Sequence, residues 1–302
     1  MIWQEPRWSG QVMPEPLFCP DFIGIGAQKC ATTWIADVLS GHTGIFVPDC
    51  KELDFFSCHY LRGHIWYSRY FETAGECLTG EISPSYLTDP LAPARIHKAA
   101  PGTRLILALR DPVERAFSSH LHEVRKGCID GRATRFEVAL EHNPMYIEQS
   151  RYARHLRRWL AVFPAESIHI VVQEEIPADP VAEATRLFKF LGVDPLARPD
   201  ALFERRHENI AYRSTVARLA FRTIGRTGRK LGLGRVIAGL KQAPGLSRLY
   251  RSQRIDMREA VAPMEDATRR RLVAELAADM LDLQQLMERS ALPWPSWRAI
   301  AR

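Results

Sequence analysis

Several familiar signatures are missing from this sequence. The six cysteines are scattered, with no Cys-x-x-Cys pair and no histidine cluster at zinc spacing, which indicates reduced thiols and no metal site. Residues 1–16 contain no apolar run as long as a signal peptide, and no later window approaches the roughly 20 apolar residues of a membrane span. We therefore expect a soluble protein of the cytoplasm.

Internal repeats, low-complexity segments, a long basic tail and an RNA-binding signature are also missing. The chain has 302 residues, of which 46% are hydrophobic, and this is enough for a large core. Its formal net charge of +6 is a mild positive excess that suits an anionic ligand. We expect no nucleic-acid partner.

Short β-rich runs alternate with helical patterns, which predicts crossover units around a mainly parallel sheet. The clearest strand patterns lie at residues 21–27, 77–83, 104–110 and 167–173, with a weaker fifth at 44–49. Helices are expected at 31–40, 112–126, 150–163 and 180–191, and an amphipathic helix packed on the core at 272–287. The expected fold class is a P-loop-like three-layer α/β/α domain with a central parallel sheet, at residues 21–302 after an N-terminal extension at 1–20.

Residues 205–254 form a basic segment, with thirteen lysines and arginines against one acid, Glu208. Apolar residues occur within it at partly helical spacing, so basic amphipathic helices are expected. Such a segment is typical of a solvated basic face or of a surface that binds an anionic acceptor. Peripheral membrane contact is a further expectation, and a membrane-binding or nucleic-acid-binding protein without catalysis is one alternative for the whole chain.

The stretch IGIGAQKCATTWIADVL, residues 23–39, has the pattern of a phosphate-binding loop that leads into a helix. Free backbone N–H groups, the positive end of a helix dipole, hydroxyls and a lysine are what a phosphate needs. A nucleoside triphosphatase would place Gly-Lys-Ser/Thr here, with the hydroxyl on magnesium, and this chain does not. The alternative is an ordinary strand-to-helix turn with an exposed lysine. The candidate binding residues are Gly26, Ala27, Gln28, Lys29, Cys30, Ala31, Thr32 and Thr33.

A second candidate site follows the third of the clear strand patterns. Arg110 ends that strand, Asp111 can cap the following helix, and Ser118 lies two turns along it. Because the carboxyl ends of parallel strands share one edge of a sheet, the two sites could hold one ligand with two separated phosphates. The alternative is surface ion pairing with Asp111 and Glu114. We adopt that alternative for Arg115 and prefer the ligand for Arg110.

Four motifs, GAQKCATT, KELDFF, GEISPSYL and RDPVERAFSSHLH, occur in this order and spacing. Together they resemble the PAPS-dependent sulfotransferases, most of all the heparan-type and related bacterial enzymes, over about residues 22–191. The resemblance implies the donor 3′-phosphoadenosine-5′-phosphosulfate (PAPS), which leaves as adenosine 3′,5′-bisphosphate (PAP). Because the transferred group of this donor is sulfuryl, the resemblance also implies that the loop needs neither a metal ion nor a Walker serine. The implied acceptor group is a hydroxyl or an amine.

The resemblance also implies roles by position. The loop from Gly26 to Thr33 matches the family's 5′-phosphosulfate site, with Lys29 at the bridging oxygen. Arg110 and Ser118 match the pair of residues that bind the 3′-phosphate.

The family's catalytic glutamate, which precedes an aromatic pair, falls on Glu52. Spacing alone does not separate Glu52 from Asp54 or His59 as the base, because in an extended segment Glu52 and Asp54 would point to the same side. The resemblance selects Glu52. Phe55 and Phe56 are interpreted as core or as pocket wall, with core preferred.

The motifs do not specify the acceptor. Heparan-type enzymes tend to carry a lysine at the position of Ile82, which argues against a heparan-like acceptor, and a carbohydrate, including a glycolipid, is expected by analogy. The family's loop over the adenosine has no clean match, and residues 222–232 are the candidate. A P-loop nucleotide kinase is the alternative enzyme, although it would need magnesium, a triphosphate and the missing Walker serine.

Overall fold

A computed structural model describes residues 17–195, 210–212 and 254–298. In these ranges the central feature is a five-stranded sheet in which every strand is parallel to its neighbours, in the spatial order β2-β3-β1-β4-β5. Its strands are β1 (Phe22–Gly26), β2 (Ile45–Phe46), β3 (Leu78–Ile82), β4 (Arg104–Leu109) and β5 (Ile168–Val172). Each lies within a strand pattern predicted from the sequence, so the parallel sheet is confirmed.

The central strands are apolar on both faces, as parallel strands covered by helices require. All five residues of β1 are buried, as are the last five of β4. The ring of Phe22 packs over Gly80 in β3, where an added Cβ would lie 2.0 Å from the ring. Phe55 and Phe56 are also fully buried, which confirms their assignment to the core.

Helices connect the strands and form the outer layers. The main helices are α1 (Thr32–Ser40), α2 (His64–Ser68), α3 (Ala92–Ala99), α4 (Pro112–Lys126), α5 (Phe136–His142), α6 (Met145–Glu148), α7 (Tyr152–Leu160) and α8 (Pro180–Leu191). Toward the C-terminus lie α9 (Met257–Ala260), α10 (Asp266–Leu286) and α11 (Pro295–Arg298). The five predicted helices correspond to α1, α4, α7, α8 and α10. The P-loop-like three-layer α/β/α fold is thereby confirmed.

The long helix α10 packs on the body of the domain, as expected. Its buried residues include Leu272, Leu276, Met280 and Leu283. The carboxylate of Asp279 accepts from the N–H groups of Ala153 and Arg154 at the start of α7, at 3.0 Å each. Arg157 of α7 pairs with Asp282 at 2.9 Å. The C-terminal part of the chain is therefore attached to the sheet domain through α7.

A small two-stranded antiparallel sheet consists of β6 (Ile210–Tyr212) and β7 (Arg254–Asp256). Apart from residues 210–212 and 254, the basic segment 205–254 lies outside the described residues, and so do its expected helices and the candidate adenosine loop at 222–232. Residues 1–16 of the predicted N-terminal extension lie outside them too. All six cysteines are free thiols. Within the described ranges, no helix has the length and apolar character needed to cross a membrane.

Candidate active site

The loop after β1 lies at the sheet edge beside the end of β4. The two strands are adjacent and parallel, and the N–H of Ala27 donates to the carbonyl oxygen of Ala108 at 2.7 Å. Gly26 has a φ of 138°, and an added Cβ would lie 3.0 Å from the carbonyl oxygen of Pro84. This conformation and close approach favour glycine. The two strand ends expected at one edge of the sheet are therefore neighbours there.

The loop leads into α1, whose N-terminus has no side-chain cap. Ala31 occupies the N-cap position in a left-handed conformation, with a φ of 54°, and has no side-chain oxygen to offer. Thr32 is buried and Thr33 half-buried in the first turn, whereas Gln28 is exposed. First-turn N–H groups without a cap, at the positive end of a helix dipole, can bind an anion. The local geometry suits a phosphate, and the specific assignment of the phosphosulfate stays a prediction.

Lys29 points into the protein and not into solvent. It is 9% exposed, and its Nζ lies 3.5 Å from Nδ1 of His122 in α4. Lys29 is therefore not the exposed lysine that the alternative of an ordinary turn supposed, and phosphate binding by the loop stays a prediction. Because Ser118 lies one turn before His122, it is on the same face of α4, near the loop. Ser118 itself is buried.

Cys30 connects the loop to the second candidate site. Its sulfur lies 3.6 Å from the hydroxyl of Tyr152, and that hydroxyl donates to the carbonyl oxygen of Arg110 at 3.1 Å. Burial raises the pKa of the Cys30 thiol to about 11. The thiol is protonated at neutral pH, so the side chain packs and is not a nucleophile. Cys30 can contact a ligand through its backbone only.

Arg110 lies at the end of β4, with its guanidinium 3.7 Å from the carboxylate of Glu114. Glu114 also accepts from Arg258 at 2.9 Å and from Arg269 at 2.7 Å. Burial would raise the pKa of Glu114, but hydrogen bonds from Arg269 and Arg258 outweigh burial and hold that pKa below its ordinary value. Three arginines thus share the carboxylate of Glu114 at the end of β4.

Arg115 is not a surface residue, so its predicted surface ion pair is wrong. The side chain is fully buried and donates to Oγ of Ser150 at 2.7 Å, to Oε1 of Gln149 at 3.1 Å and to the carbonyl oxygen of Tyr146. Burial lowers the pKa of the Arg115 guanidinium. Its hydrogen bonds replace the water that it loses, and they tie α4 to α6 and the following turn.

Asp111 caps α4, as predicted. Its Oδ1 accepts from the N–H groups of Val113 and Glu114 at 2.9 and 3.1 Å. A carboxylate therefore occupies the N-terminus of α4, in contrast to α1. A phosphate near the end of β4 must be bound by side chains, and Arg110 and Ser118 are the candidates.

The segment 51–56 contacts the first turn of α1. The Nζ of Lys51, the residue before Glu52, donates to Oγ1 of Thr33 at 2.7 Å. The segment is not extended, because Glu52 and Asp54 both have left-handed backbones, with φ of 64° and 49°. The strand alternation considered for these two carboxylates therefore does not apply.

The three candidate bases differ in how the fold uses them. Asp54 accepts from Oγ of Ser85 at 2.5 Å, and its N–H donates to Oγ of Ser83 at 2.9 Å. Glu52 is exposed, and among the described residues its carboxylate has no hydrogen-bond or ion-pair partner. His59 is exposed as well. Of the two carboxylates, that of Asp54 is held by Ser85, and that of Glu52 has no such contact within the described ranges.

Sequence reasoning missed three residues of this site: Lys51, His122 and Tyr152. Lys51 directly precedes Glu52, and His122 follows Ser118 by one helical turn, so both had a signal in the motifs. Tyr152 reaches the site from α7 and had no such signal. Among the described residues, no group of three or more His, Cys, Asp or Glu side chains could hold a metal ion.

A parallel α/β/α sheet, a helix N-terminus without a side-chain cap after its central strand and an arginine cluster after the neighbouring strand place this chain in the class of open α/β folds whose ligand sites lie at the carboxyl ends of the strands. The family can be stated more closely. The chain belongs to the sulfotransferase domain family, whose model matches residues 19–216.

Individual relatives match the same part of the chain. Human heparan sulfate glucosamine 3-O-sulfotransferase 6 is 33% identical over 186 residues, which cover 58% of this chain and 52% of that protein. The bifunctional heparan sulfate N-deacetylase/N-sulfotransferase of Drosophila melanogaster is 28% identical over 208 residues, or 59% of this chain and 20% of that protein. The crystal structure of a sulfotransferase from Alicyclobacillus acidocaldarius has a TM-score of 0.55 and 31% identity, covering 64% of this chain and 88% of that one. The chain thus spans about half or less of the length of these two curated relatives.

Proposed function

We propose that this protein transfers a sulfuryl group from PAPS to a hydroxyl or amine of an acceptor, and releases PAP. One observation carries the proposal: the N-terminus of α1, which has no side-chain cap, follows buried Lys29, and Lys51, the residue before Glu52, donates to Thr33 in the first turn of that helix. An anion-binding site, a cation and a carboxylate are thereby gathered around one loop. These are the groups that sulfuryl transfer requires.

The chain itself supplies the contacts for the donor. First-turn N–H groups of α1 and the hydroxyls of Thr32 and Thr33 can donate to the 5′-phosphosulfate. Arg110 and Ser118 bind the 3′-phosphate, a group that a nucleoside triphosphate lacks. Charge that develops on the leaving phosphate oxygen needs a nearby positive group, and Lys29 provides it. We therefore propose a reaction without a metal cofactor.

The acceptor must lose a proton as its oxygen or nitrogen attacks sulfur. A general base has to reach that proton directly or through one water. The exposed carboxylate of Glu52 meets this condition, whereas the carboxylate of Asp54 already accepts from Ser85. We assign the base to Glu52.

For the acceptor we propose a carbohydrate, including a glycolipid. The names of the curated relatives refer to heparan sulfate, and this supports the carbohydrate class only. Ile82 is 2% exposed and fills the space over Gly24, where an added Cβ would lie 2.7 Å from its Cγ1. It brings no charge to the site, which supports an acceptor other than heparan. We further propose that the protein acts in the cytoplasm and that residues 205–254 contact an anionic acceptor or membrane.

Calorimetry with PAP and ATP side by side tests the donor assignment. PAP is expected to bind tightly in the presence of a chelator, and ATP at least about 10-fold more weakly, because ATP lacks the 3′-phosphate that Arg110 and Ser118 address. ATP should gain little from added magnesium. Equal affinities, or ATP binding that magnesium makes tighter than PAP binding, would favour the kinase alternative.

A further inference from the structure

The fold buries one carboxylate directly beneath the segment that carries Glu52. Glu81, at the end of β3, is 2% exposed. Its Oε1 accepts from the hydroxyls of Tyr67 and Tyr86, at 2.7 and 2.6 Å, and its Oε2 accepts from Oγ of Ser83 at 2.6 Å. Burial raises the pKa of Glu81, and the three hydroxyl donors oppose that effect. Glu81 is too deeply buried to touch a substrate, so its function must act through its partners.

Two of these hydroxyls also accept hydrogen bonds from the backbone of the segment 51–56. Each hydroxyl has one hydrogen, which it gives to Glu81, so it can only accept from other groups. Oγ of Ser83 accepts from the N–H of Asp54 at 2.9 Å, and the hydroxyl of Tyr86 accepts from the N–H of Phe56 at 3.3 Å. Donation to a carboxylate polarises both hydroxyls and makes them better acceptors. Glu81 is therefore the common end of two hydrogen-bond chains that hold this segment.

The segment needs such support because its backbone is unfavourable. Glu52 and Asp54 both have positive φ, a conformation that is uncommon for residues other than glycine and persists only where the surroundings enforce it. Among the described residues, the backbone hydrogen bond nearest to Glu52 is the one from the N–H of Asp54 to Oγ of Ser83. Without it, the segment is expected to relax toward ordinary φ values and to turn the Glu52 side chain away from the loop.

We propose that Glu81 is a positioning residue for the catalytic base, acting on Glu52 through Ser83 and the N–H of Asp54. The inference rests on the proposed function, in which Glu52 is the base. It predicts that loss of the Ser83 hydroxyl displaces Glu52 while the donor site, built from the loop after β1 and from α4, stays intact.

Ser83→Ala tests this, with Tyr67→Phe as the matched control. Both variants delete one hydroxyl that donates to Glu81, but of these two hydroxyls only that of Ser83 also accepts from the N–H of Asp54. In Ser83→Ala, amide exchange in a peptide covering residues 52–56 should become at least about 10-fold faster, and kcat should fall about 10-fold or more, the scale on which misplaced catalytic groups reduce rate. The Kd for PAP should stay within about twofold. Tyr67→Phe should change thermal stability only.

The pH profile separates positioning from loss of the base. Glu52 is still present in Ser83→Ala, so the acidic limb of kcat should keep its midpoint while the plateau falls. Glu81→Gln keeps the side-chain shape and takes an acceptor away from the three hydroxyls, so it provides the same test if Ser83→Ala does not fold.

Exchange rates and kcat equal to those of wild type in Ser83→Ala would overturn the proposal. An equal loss of kcat in Tyr67→Phe would overturn it as well, because the effect would then be general destabilisation. If the wild type transfers no sulfuryl group to any acceptor, the proposed function fails instead, and the exchange measurement still decides whether Ser83 holds the segment.

Discussion

Replacing Glu52 by glutamine removes a proton-accepting charge and preserves the size of the side chain. Glu52 is exposed and has no partner among the described residues, so the free energy of unfolding should change by no more than about 0.5 kcal/mol. Turnover should fall by about 10²-fold or more, which corresponds to about 2.7 kcal/mol in activation free energy. PAP affinity should be unchanged, because Lys29 and the first turn of α1 are untouched.

Asp54→Asn should have the opposite profile. Its carboxylate accepts from Ser85 at 2.5 Å, and loss of this charge-assisted hydrogen bond should lower the free energy of unfolding by about 1–3 kcal/mol. Turnover should fall less than in Glu52→Gln. His59→Asn changes an exposed residue and should alter stability by no more than about 0.5 kcal/mol, with turnover near that of wild type.

Three measurements on each variant separate these outcomes: initial rates of transfer from radiolabelled PAPS, denaturant unfolding, and calorimetry with PAP. The acceptor must be one that the wild-type protein sulfonates. If Glu52→Gln retains near-normal turnover while Asp54→Asn or His59→Asn loses it, the base is that other residue and the reasoning from the unengaged carboxylate is wrong.

Four further outcomes are expected. Arg110→Ala should weaken PAP binding by about 2 kcal/mol and leave ATP binding unchanged. Arg135→Ala removes an exposed surface ion pair and should change neither affinity. If Arg110→Ala binds PAP as tightly as wild type, Arg110 has a structural role only. Lys29→Met, which keeps the length of the stem, should lower kcat/KM for PAPS by about 10²-fold or more in steady-state rates, and a value near that of wild type would contradict its role. Arg115→Met should lower the free energy of unfolding in urea by about 3 kcal/mol, because two buried acceptors, on Ser150 and Tyr146, and the half-buried Gln149 lose their donor, and a loss below about 1 kcal/mol would contradict this account. Binding to anionic vesicles through residues 205–254 should weaken between low and physiological salt, and binding that ignores salt or follows duplex DNA would count against the membrane proposal.

The sheet could be predicted because its signal is local. β1 and β4 are continuous apolar runs, as buried parallel strands require, and α10 repeats its apolar residues over 21 residues. Helices such as α2 and α5, of 5 and 7 residues, are too short to show a period and depend on the contacts around them.

The candidate site was predictable as motifs but not as contacts. The loop after β1 and the residues after β4 could be located in the sequence, because each follows a strand. The hydroxyl of Tyr152, which joins Cys30 to Arg110, comes from a residue 122 positions away from that cysteine, and no local pattern reports such a contact. The left-handed backbone conformation of Glu52 could not be predicted either, because no glycine at that position indicates a positive φ.

The strand pair β6–β7 and the helix after it have a consequence for the charge near the end of β4. Tyr212 pairs with Arg254 in this small sheet, and β7 is followed directly by α9. Arg258 of α9 donates to the carboxylate of Glu114 at 2.9 Å, the same carboxylate that Arg110 approaches at 3.7 Å. A substitution at Arg258 therefore changes the charge beside Arg110, although the two residues are far apart in the sequence.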